Sequence, residues 1–133
     1  MIAFVADTHA LIWYLFNDPR LSTKARKAIA DAADAGLEIG ISSISVAEIV
    51  YLIEKGRIPS STLDEVLRVL NDAERELKEV ALTADIASHM RGIPREEVPD
   101  LPDRVIAATA RLLGVPVITR DGRIRSSVLQ TVW

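Results

Sequence analysis

Short apolar runs alternate along this chain with longer segments whose apolar residues recur at helical spacing. The apolar runs predict buried strands over residues 2–6, 38–42, 77–82 and 115–119, and an edge strand over 131–133. The periodic segments predict helices over 8–16, 22–35, 46–55, 62–75, 84–91 and 102–113. Thr62 and Glu65 have the spacing of a capping box, which sets the start of the fourth helix. Strands that alternate with helices favour a doubly wound α/β fold with a parallel sheet.

Four acidic residues of this pattern lie in surroundings where a charge is costly. Asp7 is the only acid in residues 1–16, and Glu48 is the only charged residue in 39–53. Asp103 opens a helix of small residues, and Asp121 follows the apolar strand over 115–119. A carboxylate in apolar surroundings costs several kcal/mol unless a cation or strong donors compensate it. Four such acids from four distant segments suggest one shared compensator, a bound metal ion.

The predicted topology brings the four acids to one edge of the sheet. Asp7 and Asp121 come after predicted strands, and ligands of parallel sheets bind beyond the carboxyl ends of the strands. Glu48 and Asp103 lie in the first turns of predicted helices, and a helix that follows its strand begins at that same edge. We therefore expect the four carboxylates to converge.

Each acid also has a local structural explanation. Asp7 is a natural N-cap for the helix that follows it, and Ser45 with Glu48 matches a capping box. Asp103 would compensate a helix dipole, and the pair Asp121-Gly122 is typical of an ordinary turn. Capping does not require convergence on one edge of one sheet, so the four acids together favour the metal site.

Composition narrows the class of protein. With 133 residues and 49% apolar content, the chain is predicted to form a single domain over 1–133 with a sizeable core. The absence of cysteine excludes disulfides and thiolate metal sites and fits a reducing, cytoplasmic location. The apolar start is too short to span a membrane and carries Asp7, so no membrane association is expected. The net charge of −3 argues against a generally basic nucleic-acid binder.

The ligand atoms indicate the kind of metal. Carboxylate oxygens favour a hard cation, Mg²⁺ or Mn²⁺, over zinc. His9 and His89 lack partners at the spacing of a zinc site. His9 is interpreted as a polar group at the edge of the site or a satisfied histidine near the core, and His89 as a surface residue. Metal held by several carboxylates is a common basis for phosphodiester hydrolysis.

Four motifs occur in order along the chain. They read VADTHALIW at 5–13 (continued by DPRLS at 18–22), SSISVAEI at 42–49, DLPDRVIAATA at 100–110 and VITRDGRI at 117–124. Together they resemble the PIN-domain nucleases, specifically the VapC-type toxins of bacterial and archaeal toxin–antitoxin pairs. The resemblance covers essentially the whole chain and includes the terminal VW. It implies a PIN-like three-layer α/β/α domain with a central, mostly parallel sheet of four to five strands.

The resemblance also implies a ribonuclease whose acids surround one or two Mg²⁺ ions, with Mn²⁺ as a substitute. Carried over by position, Asp7, Glu48 and Asp103 would be catalytic metal ligands, and Asp121 would be a fourth that acts more often through water. Thr8 and Thr119 would be hydroxyls that orient carboxylates or water. Arg120 and Arg104 would contact phosphate, with Arg104 equally a surface ion-pair partner. The family often has Gly-Asp-Pro where this chain has Pro99-Asp100-Leu101-Pro102, so Asp100 is predicted to cap a helix.

Partners follow from the same resemblance. The substrate would be RNA, cleaved to leave a 5′-phosphate and a 3′-hydroxyl. The chain would form a homodimer and pair with a small antitoxin protein whose C-terminal segment blocks the acidic pocket. Exposed apolar residues on the helices over 22–35 and 46–55 would contribute to those surfaces, although periodicity alone assigns their faces to the core. The alternative is a non-catalytic RNA-binding or scaffold domain with the same fold.

Overall fold

A five-stranded parallel sheet forms the centre of the structure, a computed structural model that describes residues 1–126 and 129–133. Its strands are β1 (Ile2–Ala6), β2 (Glu38–Ser42), β3 (Leu77–Val80), β4 (Val117–Ile118) and β5 (Thr131–Val132), in the spatial order β3-β2-β1-β4-β5. All neighbouring strands pair in parallel, and Val5 of central β1 is in register with Gly40 of β2 and Val117 of β4. The predicted parallel α/β sheet is confirmed, including its edge strand β5.

Helices cover both faces of this sheet. They are α1 (Thr8–Leu15), α2 (Thr23–Asp34), α3 (Ser43–Glu54), α4 (Ser61–Leu70), α5 (Ala84–His89), a 3-10 turn (Met90–Gly92), α6 (Leu101–Leu113) and α7 (Gly122–Arg125). Ser22 caps α2 and Thr83 caps α5 through their side-chain hydroxyls, as the sequence predicts. Gly114 ends α6 in the left-handed conformation (φ 69°), which glycine adopts without a steric cost.

Two predicted helix starts are wrong. α3 begins at Ser43, because the hydroxyl of Ser42, not that of Ser45, accepts the capping hydrogen bond from the Ile44 N–H at 3.2 Å. α4 begins at Ser61 and ends at Leu70, well before 75. Thr62 is buried inside this helix and does not cap it. α7 was not predicted.

The core lies in two clusters, one for each face of the sheet. Ala6 packs with α1, α2, α3 and α4, whereas its neighbour Val5 packs with α5, α6 and α7. Because successive residues of a strand point to opposite faces, this division gives the three-layer α/β/α arrangement that the family resemblance implies. Within the described residues, none of the helices is both long and apolar enough to cross a membrane.

Candidate active site

A cavity of about 330 Å³ lies beyond the carboxyl ends of β1 and β4. Its lining contains all four acids that the sequence singled out, together with one further acid, two aromatic rings, a hydroxyl and an arginine: Asp7, Thr8, His9, Trp13, Glu48, Asp100, Asp103, Arg120 and Asp121. The predicted convergence on one edge of the sheet is therefore present. Thr119, another residue expected near the site, lies behind this lining and contacts two of its acids.

Asp7 is buried at the end of β1, with 7% of its surface exposed. Its Oδ1 accepts a hydrogen bond from the Ala10 N–H at 2.8 Å, so it caps α1 as the local explanation predicted. Its Oδ2 accepts a hydrogen bond from the buried hydroxyl of Thr119. Burial nevertheless raises the pKa of Asp7 above its ordinary value, because desolvation outweighs these two donors. Capping uses one oxygen of Asp7, and Asp7 still lines the cavity.

The hydroxyl of Thr119 joins two of the acids. It donates to Asp7 and accepts a hydrogen bond from the backbone N–H of Asp121 at 2.9 Å. Asp121 in turn caps α7, since its Oδ1 accepts from the N–H groups of Arg123 and Ile124 at 2.8 and 3.1 Å. The predicted turn at Asp121-Gly122 is thus the first turn of a short helix, and Thr119 has contacts that would orient a carboxylate.

Glu48 lines the cavity from the second turn of α3, one turn later than predicted. Ser45, its proposed capping partner, lies inside the helix and accepts a hydrogen bond from the Thr8 hydroxyl at 2.9 Å. The capping-box interpretation of Glu48 is therefore wrong. Thr8 holds α1 against α3 at this point, and its contact is with another hydroxyl and not with a carboxylate.

Asp100 caps α6, because its Oδ1 accepts a hydrogen bond from the Asp103 N–H at 3.1 Å, as predicted. Asp103 is partly buried, and its pKa is raised to about 7. Burial is the largest cause, and the charges of Asp100, Asp121, Asp7 and Glu48 add to it in that order. All the other acids of the cavity therefore disfavour the charge of Asp103, and the described side chains around the cluster supply too little positive charge to compensate it.

Arg120 is the only arginine or lysine in the lining of this cavity among the described residues. Its guanidinium lies 4.6 Å from the ring centroid of Trp13. Arg104, the other arginine proposed for phosphate, does not line the cavity; its Nη2 donates to the carbonyl of Met90 at 2.8 Å, and its Nε is buried without a partner in the described residues. Arg104 is thus directed toward the 3-10 turn, because the helical wheel of α6 places it on a different face from Asp103.

The two histidines lie in different places. His9 is exposed at the edge of the cavity, with its ring centroid 5.6 Å from that of Trp13. His89 is an exposed residue at the end of α5, where it faces Asp85. Both placements agree with the site-edge and surface interpretations.

The cavity fits a divalent cation in donor type and charge. Its acidic oxygens are the ligands that hard cations prefer, and its uncompensated charge is the state that a cation would relieve. In the described residues, no three His, Asp or Glu side chains already form a group that could hold a metal ion. Mg²⁺ usually keeps several waters and binds through one or two carboxylates, so the cavity does not need a preformed cage of three acids.

Comparison with known proteins agrees with this fold. Residues 4–127 match the family model of the PIN domain, and the chain belongs to the PIN-domain family. A similar curated protein is ribonuclease VapC22 of Mycobacterium tuberculosis (strain ATCC 25618 / H37Rv), which is 32% identical over 126 residues, or 95% of this chain and 92% of that protein.

Solved structures share the fold at lower identity. VapBC from Salmonella typhimurium bound to DNA has a TM-score of 0.70 and 23% identity over 98% of this chain and 97% of that one. VapBC2 from Rickettsia felis, bound to a DNA fragment from its promoter, has a TM-score of 0.69 and 18% identity over the same shares. A toxin–antitoxin complex from Klebsiella pneumoniae has a TM-score of 0.66 and 24% identity, again covering 98% and 97%.

Sequence reasoning missed two residues of the site. The sequence assigns Ser45 to a capping box, and it includes Trp13 in the first motif without giving it a role in the site. Trp13 lies in the second turn of α1, six residues after Asp7, and periodicity marks it only as a buried position of an apolar helix. Its two arginine neighbours, Arg20 and Arg120, come from other segments.

Proposed function

We propose that this protein is a divalent-metal-dependent endoribonuclease that acts as the toxin of a toxin–antitoxin pair. The observation that carries the proposal is the convergence of Asp7, Glu48, Asp103 and Asp121 on one cavity without sufficient positive charge. Membership of the PIN-domain family and the similarity to ribonuclease VapC22 support ribonuclease chemistry. Mg²⁺ is the cation that the oxygen donors favour, and Mn²⁺ would substitute.

Each acid has a distinct place in the proposed site. Asp7 is fixed by two hydrogen bonds, and Asp103 stands on the first turn of α6, where burial and the other acids of the cavity raise its pKa. Glu48 and Asp121 complete the ligand set from α3 and from the loop after β4. A bound cation would offset phosphate charge, lower the pKa of water and stabilise the leaving oxygen.

The residues of the chain would bind and orient the substrate. Asp7, held by Thr119, would keep a constant position while the scissile phosphate enters. A water within the acidic cluster would lose a proton and attack phosphorus in line. The P–O3′ bond would break, O3′ would take up a proton, and the products would be a 5′-phosphate and a 3′-hydroxyl. Arg120 is the cation of the lining that is available to RNA.

A protein antitoxin is the proposed regulator. Solved structures with the same fold include toxin–antitoxin complexes, and a basic antitoxin side chain in the cavity would supply positive charge to the acid cluster. α3 exposes Val50 and Tyr51, whereas the large apolar residue of α2, Ile29, is buried. Of the two helices considered for the dimer or antitoxin surface, α3 is therefore the better candidate.

Cleavage of total RNA tests the proposal. Wild type and Asp103→Asn are incubated with Mg²⁺, with Mn²⁺ and with a chelator, and the new RNA ends are mapped. Asp64→Asn is the matched control, because Asp64 is also a first-turn acid but is exposed on α4, outside the cavity. We expect discrete cuts with wild type and Asp64→Asn only when metal is present, and 5′ ends that accept a label only after phosphatase treatment.

Full activity of Asp103→Asn, or activity in the chelator, would contradict the assignment. The alternative of a non-catalytic RNA-binding domain predicts binding of RNA without any cuts. The dimer is tested separately by sedimentation of the protein over a dilution series.

A further inference from the structure

Trp13 is the centre of a small group of rings and arginines at the rim of the acid cavity. Only 4% of its surface is exposed, although it lines the cavity. Its ring contacts His9 at a centroid distance of 5.6 Å and Trp133, almost edge-on, at 5.9 Å. These contacts fix the Trp13 ring, and its faces are available to cations.

Two guanidinium groups lie over this ring, Arg120 at 4.6 Å and Arg20 at 5.1 Å from its centroid. A guanidinium over an indole is attracted by the ring's electrons and keeps its N–H donors at its edge. Stacking therefore restricts the arginine without using its hydrogen-bonding groups. Trp13 can hold a cation in place and leave it able to bind a second, anionic group.

The two arginines differ in what their donors do. Arg20 is engaged by Asp18, with Nε and Nη2 donating at 3.1 and 2.8 Å to the two carboxylate oxygens. Arg120 is exposed and lines the cavity, and among residues 1–126 and 129–133 no carboxylate forms an ion pair with it. Asp18 satisfies Arg20, whereas Arg120 has its charge and donors available for a ligand.

Binding of RNA at the acid cavity requires a positively charged group at the rim of the cavity. The acid cavity repels phosphates, and a cation held by the acids would offset only the phosphate that is hydrolysed. An RNA strand carries further phosphates on either side, and the rim of the cavity is where the next one would lie. A fixed guanidinium binds a phosphate with two parallel N–H donors.

We propose that Trp13 is a positioning residue that holds Arg120 at the rim of the cavity, and that Arg120 binds the RNA phosphate next to the one that is hydrolysed. Arg20, paired with Asp18, supports the ring and does not contact RNA. This inference rests on the proposed ribonuclease function. A general basic surface would use both arginines, whereas this inference assigns the phosphate contact to only one of the two arginines on the Trp13 ring.

The test measures binding of a short fluorescein-labelled oligouridylate by anisotropy, in Ca²⁺ to prevent cleavage and over a series of salt concentrations. Arg120→Gln should weaken binding roughly tenfold, as expected for loss of a charged hydrogen bond. It should also reduce the slope of log Kd against log salt by about 0.7, the value for one phosphate contact on a single strand. Arg20→Gln, the matched control, removes the same charge from the same ring and should leave the slope unchanged.

Coupling between the two residues tests the positioning role. In a Trp13→Leu background, Arg120→Gln should weaken binding only about twofold, because the guanidinium is no longer held there. In a Trp13→Phe background, which keeps an aromatic ring, Arg120→Gln should retain most of its effect on binding. This second background keeps the test valid if the Trp13→Leu variant does not fold. In Mg²⁺, Arg120→Gln should raise KM for cleavage with kcat nearly unchanged.

An unchanged salt slope in Arg120→Gln, or an equal loss in Arg20→Gln, would overturn the inference. A full tenfold effect of Arg120→Gln in the Trp13→Leu background would overturn the positioning role. If wild type cleaves total RNA but the variants give one of these contradicting results, only this inference fails. If wild type neither binds the oligouridylate nor cleaves total RNA, the proposed function fails and the inference fails with it.

Discussion

Replacement of Asp103 by Asn should stabilise the metal-free protein at neutral and alkaline pH. Asp103 has a pKa of about 7 in the folded protein against an ordinary value of 3.8. A carboxyl whose pKa is raised on folding contributes most stability below its unfolded pKa, and that contribution is lost as the pH rises through its folded pKa. The wild-type protein should therefore lose stability between about pH 4 and pH 7. Asn, which does not ionise, removes this loss.

The size of the effect follows from the two pKa values. One pKa unit corresponds to about 1.4 kcal/mol, so the full difference would be about 4 kcal/mol. Asp103 is only partly buried, and solvent screening reduces this to about 2 kcal/mol at pH 8. If Asp103 served only as a first-turn acid of α6, its replacement would instead destabilise the protein by about 0.3–1 kcal/mol. The two roles predict opposite signs.

Thermal unfolding in a chelator, at several pH values, measures the difference. Asp103→Asn should unfold roughly 5 °C above wild type at pH 8, and the two proteins should approach each other as the pH falls toward 4. The first-turn control Asp64→Asn should show no gain at any pH. Added Mg²⁺ should raise the Tm of wild type and leave that of Asp103→Asn unchanged. A loss of stability in Asp103→Asn at pH 8 would refute the reasoning.

Three further predictions concern two hydrogen bonds behind the site and the glycine that ends α6. Thr119→Val should lower the free energy of unfolding by about 1–3 kcal/mol in denaturant and reduce cleavage, because it removes a donor from buried Asp7. Thr119→Ser keeps the hydroxyl and should restore both stability and cleavage. An equal loss in Thr119→Ser would argue against this role of the hydroxyl. Thr8→Val and Ser45→Ala should each destabilise the protein, but the double variant should cost less than their sum in a double-mutant cycle; strict additivity would contradict the contact. Gly114→Ala should lower the free energy of unfolding by about 1 kcal/mol through the positive φ alone, since a Cβ at this position meets no atom within 4 Å. Unchanged stability would refute the backbone strain.

Much of the fold could be predicted because its signals are local. The apolar strands lack alternation because helices cover both faces of the sheet, and this pattern is visible in the sequence. Ser22, Thr83 and Asp100 cap helices as predicted, since a cap joins residues three apart in the chain. The same local rule failed at Thr62, whose side chain is buried in the core while Glu65 pairs with Arg68 at 2.7 Å.

The order of residues alone predicts which acids stand in costly surroundings and that a parallel sheet brings them to one edge. How those acids are held depends on contacts between distant segments. The contact of Thr119 with Asp7 spans 112 residues, and that of Thr8 with Ser45 spans 37. The stacking of Arg120 on Trp13 likewise joins opposite ends of the chain. Such contacts depend on how finished helices and strands pack together, and no periodic pattern within a segment records which distant side chain its neighbour will be.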